Sequence, residues 1–491
     1  MKSVIENSVA VISSIDSKVS YPTELPYNPA QLYPEFNNKF SKLSSTNDVY
    51  MLFRKALFLC GLDKKHFDME SWNPFGDLIK PGQHVLIKPN FVRHIHMAGK
   101  SIESVITHGS IIRCALDYVA LALKGSGSIT IGDAPVQSAD FEKIIDHLKI
   151  RQISDYIERI WQIPVKIVDF RLSSVQINNN YNVVKKGILK GDINGYLKVD
   201  LGKNSMLAEI AEHCSKFRVT SYDCNDLALH HNKKTNEYLI PKTVLDADVI
   251  INLPKLKTHR KVGITSALKN LVGINGYKDW LPHHRCGSKK YGGDEYKYPS
   301  ILQRIRTVLV EQIDVNIDSF FNMPRRTIIR IISRLLSLSN KQIYEEGSWY
   351  GNDTIWRTVL DLNRLLLYSD KLGKMQNSVQ RSVFTIVDGI IAGEGEGPMQ
   401  PDAKKCNMLI CGLNPVAVDT TIATLIGFDF NKIPLLSNSY KTSIWPMVTF
   451  LPAKISTISE IDKFCCDSIV ELSNEFEFIP PSGWIGHIEQ E

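Results

Sequence analysis

Six short runs constrain this chain more than any other feature: "HVLIKPN" (84–90), "SITIGDAP" (128–135), "PVKIVDF" (164–170), "ADVIINLPK" (247–255), "FTIVDGI" (384–390) and "NMLICGLNP" (407–415). Most are short, β-branched and nearly continuous in apolarity, and each closes in a polar or glycine-containing turn. Strands that show water neither face have this composition, as inside a parallel sheet. Helical patterns lie between several of them, at 109–123, 139–149, 264–272 and 415–426. The alternation predicts an α/β fold: a largely parallel layered sheet with helices on both faces, plus a β-rich segment and an inserted helical segment. Ligands in such sheets bind beyond the carboxyl ends of the strands, so the residues closing each run are the first candidates for function.

At 491 residues the chain exceeds what one compact core normally holds. It divides into an N-terminal extension and helix (1–79), a first core part (80–300) with a β-rich segment at 171–246, a helical insertion or lid (301–346), a second core part (347–430) and a C-terminal tail (431–491). Four prolines at 22, 26, 29 and 34 make the first 45 residues irregular, and a capped helix is expected within 44–62. Residues 171–246 alternate and turn like a meander, with a further hairpin expected near "HNKKTNEYLIPKTVLDAD". Residues 325–341 form a basic amphipathic helix. It is expected to dock on its own domain, with contact to a membrane surface or a partner as the alternative.

The net charge of +6 over 55.5 kDa points to local positive patches rather than a nucleic-acid-binding field, and no nucleic-acid motif is present. The nine cysteines include no C-x-x-C pair, which argues for reduced thiols and against a disulfide framework or a zinc or iron–sulfur signature. No apolar run reaches the length of a membrane span, and the N-terminus lacks a signal-peptide pattern. A cytoplasmic protein is expected. A homo-oligomer stays open.

The fourth run passes directly into positive charge. Lys255, Lys257, His259, Arg260, Lys261 and Lys269 fall within "NLPKLKTHRKVGITSALKNLVGING" (252–276). The expected arrangement is a turn from Asn252 to His259, a short helix starting near Thr265 or Ser266, and a stop at Gly273. Cations before a helix N-terminus suit a carboxylate or phosphate. Lys255 and Asn270 are assigned to binding, and Lys257, His259 and Lys269 to catalysis, with His259 as the group that moves a proton. Lys88, Asn90 and Asp133, which close the first two runs, join the binding set. In "DWLPHHRCGSKKYGGDEY" (279–296), His283, His284 and Arg285 are placed in a recognition loop, with Arg285 as a carboxylate clamp.

The turn "VDGIIAGEGEGP" (387–398) has glycines without phosphate-loop spacing, and its acids would repel phosphate. Asp388 and Glu394 are instead the candidates for holding a divalent ion or substrate hydroxyls. Asp419 is expected to pair with a lysine of the basic stretch. Asp353 and Arg357, four apart on a helix, are expected to pair with each other.

Residues 247–285 and 387–419, with "VLIKPN" and "IGDAP", resemble the signatures of the domain-of-unknown-function family 362, in order over roughly residues 80–430, with 171–246 and 301–346 matching no motif. The resemblance implies no agreed reaction. Relatives are often labelled as iron–sulfur proteins through clustered cysteines; this chain lacks that cluster, so the label is not carried over. The family also resembles, distantly, the lactate racemase superfamily. The expectation is one cleft, lined by cations from 255–269 and acids from 388–396, that takes a small anionic hydroxylated molecule such as a sugar acid or sugar phosphate. Proton transfer is the simplest chemistry there, as isomerisation, epimerisation or elimination. A non-catalytic ligand-binding or scaffold protein and a redox-associated protein are the alternatives.

Overall fold

Val85 and Ile87 pack to one side of a sheet and Leu86 to the other, and Val249, Ile251 and Ile250 repeat the pattern one strand away. Both faces are apolar because both are covered. The computed structural model describes residues 4–14, 19–37, 39–40, 42–177, 183–219, 224–316, 319–338 and 344–490. Its ten-stranded sheet comprises β1 (Val9–Ser14), β2 (His84–Pro89), β3 (Ser128–Asp133), β4 (Val165–Asp169), β5 (Val249–Leu253), β6 (Lys255–His259), β7 (Gly263–Thr265), β8 (Ser382–Glu394), β9 (Asp402–Gly412) and β10 (Ser456–Ser459). The order is β10-β1-β9-β8-β5-β2-β3-β4, with β6 beside the distal half of β8 and β7 beside β6. β8, β5, β2, β3 and β4 pair in parallel, and β9 runs against β8 and β1. The predicted mostly parallel α/β architecture is therefore the one observed.

Helices α1 (Asp48–Leu59), α2 (Gly109–Leu123), α3 (Phe141–His147) and α4 (Ile150–Trp161) cover one face. The four-residue α5 (Ala267–Asn270), α8 (Ile355–Tyr368) and α9 (Pro415–Leu425) cover the other; α6 (Ile301–Val315) and α7 (Asn322–Ser337) form the inserted hairpin between them in sequence. Local chemistry sets the ends. Asn47 accepts the Tyr50 N–H to cap α1, and Asn414 accepts those of Val416 and Ala417 ahead of Pro415 to open α9.

Several expectations are corrected. The first 45 residues are not wholly irregular: β1 lies between β9 and β10, so the segments set apart as extension and tail each add a strand to one sheet. A second helix, α4, follows the one expected at 139–149. In the β-rich segment, Ser173–Ile177 pairs with Val183–Ile188, while Glu237–Pro241 pairs back with Tyr196–Asp200 instead of closing its own hairpin. The basic helix runs from 322 to 337; the end of the expected 325–341 span lies outside the described residues. Asp353 and Arg357 do pair, at 3.3 Å.

The largest correction concerns 255–259. It is strand, not turn. Pro254 interrupts the chain, its carbonyl accepts the Asp388 N–H, and β6 then continues alongside β8 with Lys255 opposite Asp388 and Lys257 opposite Gly393. Lys255, Lys257 and His259 therefore share one face, as alternate residues of a strand must.

Candidate functional site

The carboxyl ends of β2, β3 and β5 carry a buried polar network. Lys88 Nζ meets Asp133 Oδ1 at 2.7 Å, and Asp133 Oδ2 accepts the Phe91 N–H. Asn270, on α5, donates to the Lys88 carbonyl and to Asn252 Oδ1, and its Oδ1 accepts from Asn90 Nδ2 at 2.9 Å. Asn90 Oδ1 in turn accepts from Lys257 Nζ at 2.7 Å. A chain of amides with two ammonium groups behind it thus fixes Asn90 and α5 on the sheet. α5 is held from its other side by Asp419, whose oxygens accept the N–H groups of Ala267 and Leu268 at 2.7 and 2.9 Å. Asp419 therefore does not pair with a lysine as expected. α9 lies against α5 and presents the carboxylate to free helix N–H groups, and burial pushes its pKa up to about 7.

Gly273 makes this closure possible. A Cβ there would fall 1.9 Å from Asp133 Oδ1 and 2.6 Å from Lys88 Nζ. It does not stop the helix by a left-handed conformation, as expected, but lets backbone lie directly on the ion pair. Gly273→Ala is expected to cost about 3 kcal/mol, since overpacking here also forces a buried ion pair apart. A chemical denaturation midpoint checks this.

Over the network opens a cleft in two joined compartments. The inner, about 120 Å³, is lined by Asn90, Asp133, Lys269, Asn270, Lys278 and His283 among others. The outer, about 360 Å³, adds His259, Arg260 and Lys261 and an apolar wall that includes Met97, Val175, Ile177, Val183 and Met399. Val92, Val136, Lys269 and His283 line both.

Four groups give the cleft its chemistry. The Lys269 ammonium has no hydrogen-bond or ion-pair partner among the described residues, and burial, with Lys261 and Lys88 nearby, lowers its pKa to about 8. Burial lowers Lys278 to about 7, although its Nζ donates to the Val272 carbonyl. The imidazoles of His259 and His283 are held well below their ordinary range by burial first, then by Lys269 and Lys261. Both are neutral at pH 7, and their partners fix opposite tautomers. His259 Nδ1 accepts the Lys261 N–H at 3.0 Å, so its proton is on Nε2. His283 Nδ1 lies 2.6 Å from the Leu281 carbonyl, which can only accept, so Nδ1 carries the proton and Nε2 is bare.

Of the residues singled out in the sequence, Asn90, Asp133, His259, Lys269, Asn270 and His283 meet in the cleft. The others do not. Lys88 and Lys257 lie behind its wall; Lys257 donates to Asn90 and to the Val105 carbonyl, and burial with two neighbouring lysines holds its pKa well down. Lys255 is fully buried 3.1 Å from Asp388. His284 sits in a short strand pair opposite Arg218. Arg285 is no free clamp: its guanidinium lies 3.4 Å from Asp353 and 3.7 Å from Asp294. Asp388 takes the Tyr21 hydroxyl at 2.6 Å and the His108 N–H as well as Lys255, whereas Glu394 pairs with Lys404 and the Ile479 N–H. The two carboxylates are engaged by separate partners, because β8 runs strand-like through Glu394 and the turn begins only at Gly395. Sequence reasoning missed Lys278, just past the basic stretch, and Tyr21, which no local pattern marks.

Among the described residues, no three His, Cys, Asp or Glu side chains gather as a metal-holding group. The cysteines do not fit an iron–sulfur cluster: all nine are free, and a close pair, Cys60 at the end of α1 and Cys411 on β9, lies 3.3 Å apart.

Fold and cleft together define a class: an α/β protein with a cationic, histidine-bearing cleft at the carboxyl ends of its parallel strands. Within that class, residues 184–424 match the profile of the family described as Domain of unknown function (DUF362). The motifs at 84–90 and 128–135 lie ahead of the matched segment. A thylakoid-associated protein of Synechocystis sp. is 22% identical over 231 residues, 46% of this chain and 47% of the relative, so the chain matches about half of that protein's length. A crystal structure of a Thermotoga maritima protein aligns with 72% of this chain and 54% of its own at 12% identity, with a TM-score of 0.27. Among the described residues no helix is long and apolar enough to cross a membrane.

Proposed function

We propose that this protein is an enzyme that binds a small carboxylate-bearing molecule in the two-part cleft and moves a proton on it. One observation carries the reading: two neutral imidazoles of opposite tautomer line the same cleft as an ammonium that has no partner among the described residues. The carboxylate sits against Lys269 and Lys278 in the inner compartment, and its less polar end occupies the outer one. His283 Nε2, with its free lone pair, takes a proton from the carbon beside the carboxylate. His259 donates a hydrogen bond from Nε2 to the oxygen on which charge develops; a neutral imidazole serves as such an electrophile without losing its proton. Lys269, with a pKa about 8, is placed to return a proton at neutral pH.

The sequence pointed to sugar acids or sugar phosphates because acids were expected to line the cleft and hold hydroxyls. With Asp388 and Glu394 engaged elsewhere, the better-supported substrate is an α-hydroxy or related acid with an apolar side. The cytoplasmic setting and the isomerase, epimerase or lyase chemistry expected from the sequence stay part of this proposal, and no metal step enters it.

The test is proton exchange. Alkyl α-hydroxy acids of graded chain length are incubated with the full chain in deuterium oxide, and deuterium beside the carboxylate is followed by NMR. Enzyme-dependent incorporation is the expected result. If acids of this kind bind but never exchange, the cleft is a binding site and the enzyme reading falls.

A further inference from the structure

The inserted hairpin leaves an apolar surface without cover. On α6, Ile301, Ile305 and Val308 are exposed at helical spacing; on α7, Ile328, Ile331 and Leu335, with Leu338 at its C-cap, are exposed along a second stripe. Ile332 and Leu336 supply the inward face of α7. The helix therefore already has a buried side, and the exposed stripe is additional to it. Where the connection enters α7, Phe320 is 90% exposed, Phe321 63% and Met323 74%. Aromatic and thioether side chains held that far out normally face a partner rather than water.

Charge selects the partner. α7 carries Arg325, Arg326, Arg330 and Arg334 and no acid, and Arg330 and Arg334 are exposed beside the apolar stripe. Four arginines repel a second copy of the same face and attract an anionic one. A helix with arginines flanking an Ile/Leu stripe and phenylalanines at one end matches a segment that lies in a lipid interface, its apolar side among acyl chains and its guanidinium groups at the phosphates. We infer that the hairpin of α6 and α7 seats this protein on the surface of a bilayer containing anionic lipid. This reverses the sequence-based preference for a helix docked only on its own domain. Arg326 also donates to the Val183 carbonyl at 3.3 Å, and Val183 lines the outer compartment. Seating the hairpin would therefore bring the apolar part of the cleft close to the lipid.

The experiment is flotation of the full chain with vesicles of phosphatidylcholine alone and of phosphatidylcholine mixed with phosphatidylglycerol, at low and high salt. Binding to the anionic vesicles should be at least about tenfold tighter than to the neutral ones and should weaken with salt, as several surface arginines acting together imply. Two double variants separate the contributions, and their melting curves confirm folding because all four side chains are exposed: Arg330→Glu with Arg334→Glu, and Ile331→Asp with Leu335→Asp. Each should lose most of the binding. Equal binding to both vesicle types, binding unchanged in the variants, or no flotation would overturn the inference. So would concentration-dependent self-association that the Ile331/Leu335 variant abolishes in a protein that ignores vesicles. None of these outcomes bears on proton exchange in the cleft.

Discussion

Asp388→Asn is expected to destabilise the protein by about 3–5 kcal/mol, the cost of leaving a buried charge without its partner. Asp388 and Lys255 are both fully buried and 3.1 Å apart. The carboxylate also holds the Tyr21 hydroxyl, which itself accepts from Lys255 Nζ at 2.7 Å, and the backbone N–H of His108, whose ring stacks on Tyr21 at 4.0 Å. Removing the negative charge strands the Lys255 ammonium in the interior and loosens the segment around Tyr21. Burial already lowers the Lys255 pKa against the opposing pull of Asp388, so the variant's lysine gives up its proton far more readily. The denaturant midpoint of Asp388→Asn should fall clearly. The double variant Lys255→Met with Asp388→Leu should recover much of the loss, because an apolar pair of similar volume leaves no charge behind. A metal-holding role for Asp388, as the sequence suggested, predicts the reverse: little change in stability without added ions.

The second large effect concerns the histidines. His283→Gln should slow proton exchange on the substrate by about 10²- to 10⁴-fold, the range of a positioned general base. KM should change little, since His283 contributes a lone pair to a proton in flight and not a charge to the bound carboxylate. His259→Gln keeps a donor near the developing oxygen and should lose less. Lys269→Met should raise KM, because the carboxylate loses a cation, and should also slow exchange, because the group that returns the proton is gone. Steady-state exchange rates over a range of substrate concentration read all three. A His283→Gln protein with the wild-type rate would take the base role away from it.

How much of this was visible in the residues differs from element to element. The core strands and α2 were legible because burial on both faces, and an unbroken helical pattern from Gly109 to Leu123, leave few alternatives. β1 was not, since six residues ahead of four prolines carry too little pattern. The misreading of 255–259 is more instructive. Lysines and a histidine suggested an exposed turn, yet Lys-Leu-Lys-Thr-His alternates with the period of a strand, and the structure follows the period. Charge dominated the expectation because a buried lysine is rare; here Asp388, Asn90 and the Val105 carbonyl make burial tolerable, and none of them is near in sequence. For the same reason the site was only half legible. The basic stretch delivers His259, Lys269 and Asn270 to the cleft and the expected recognition loop delivers His283, but the acids expected opposite them are consumed by neighbouring cations, and Lys278, which no expectation marked, joins the lining.

Lys269 is the group on which the account depends most. Binding of an alkyl α-hydroxy acid should be measured by isothermal titration calorimetry for the wild type and Lys269→Met, from below pH 7 to above pH 9. Anion binding needs the protonated amines, so affinity should be highest on the acid side and fall as pH rises through the Lys278 value of about 7 and the Lys269 value of about 8. Well above these values the loss should approach about tenfold per pH unit for each proton required. Lys269→Met should bind at least about tenfold more weakly at pH 7 while melting at or above the wild-type temperature, because a half-buried cation with no partner among the described residues is replaced by an apolar chain. Equal affinity in the two proteins, with no fall toward alkaline pH, would contradict the proposed anion cleft.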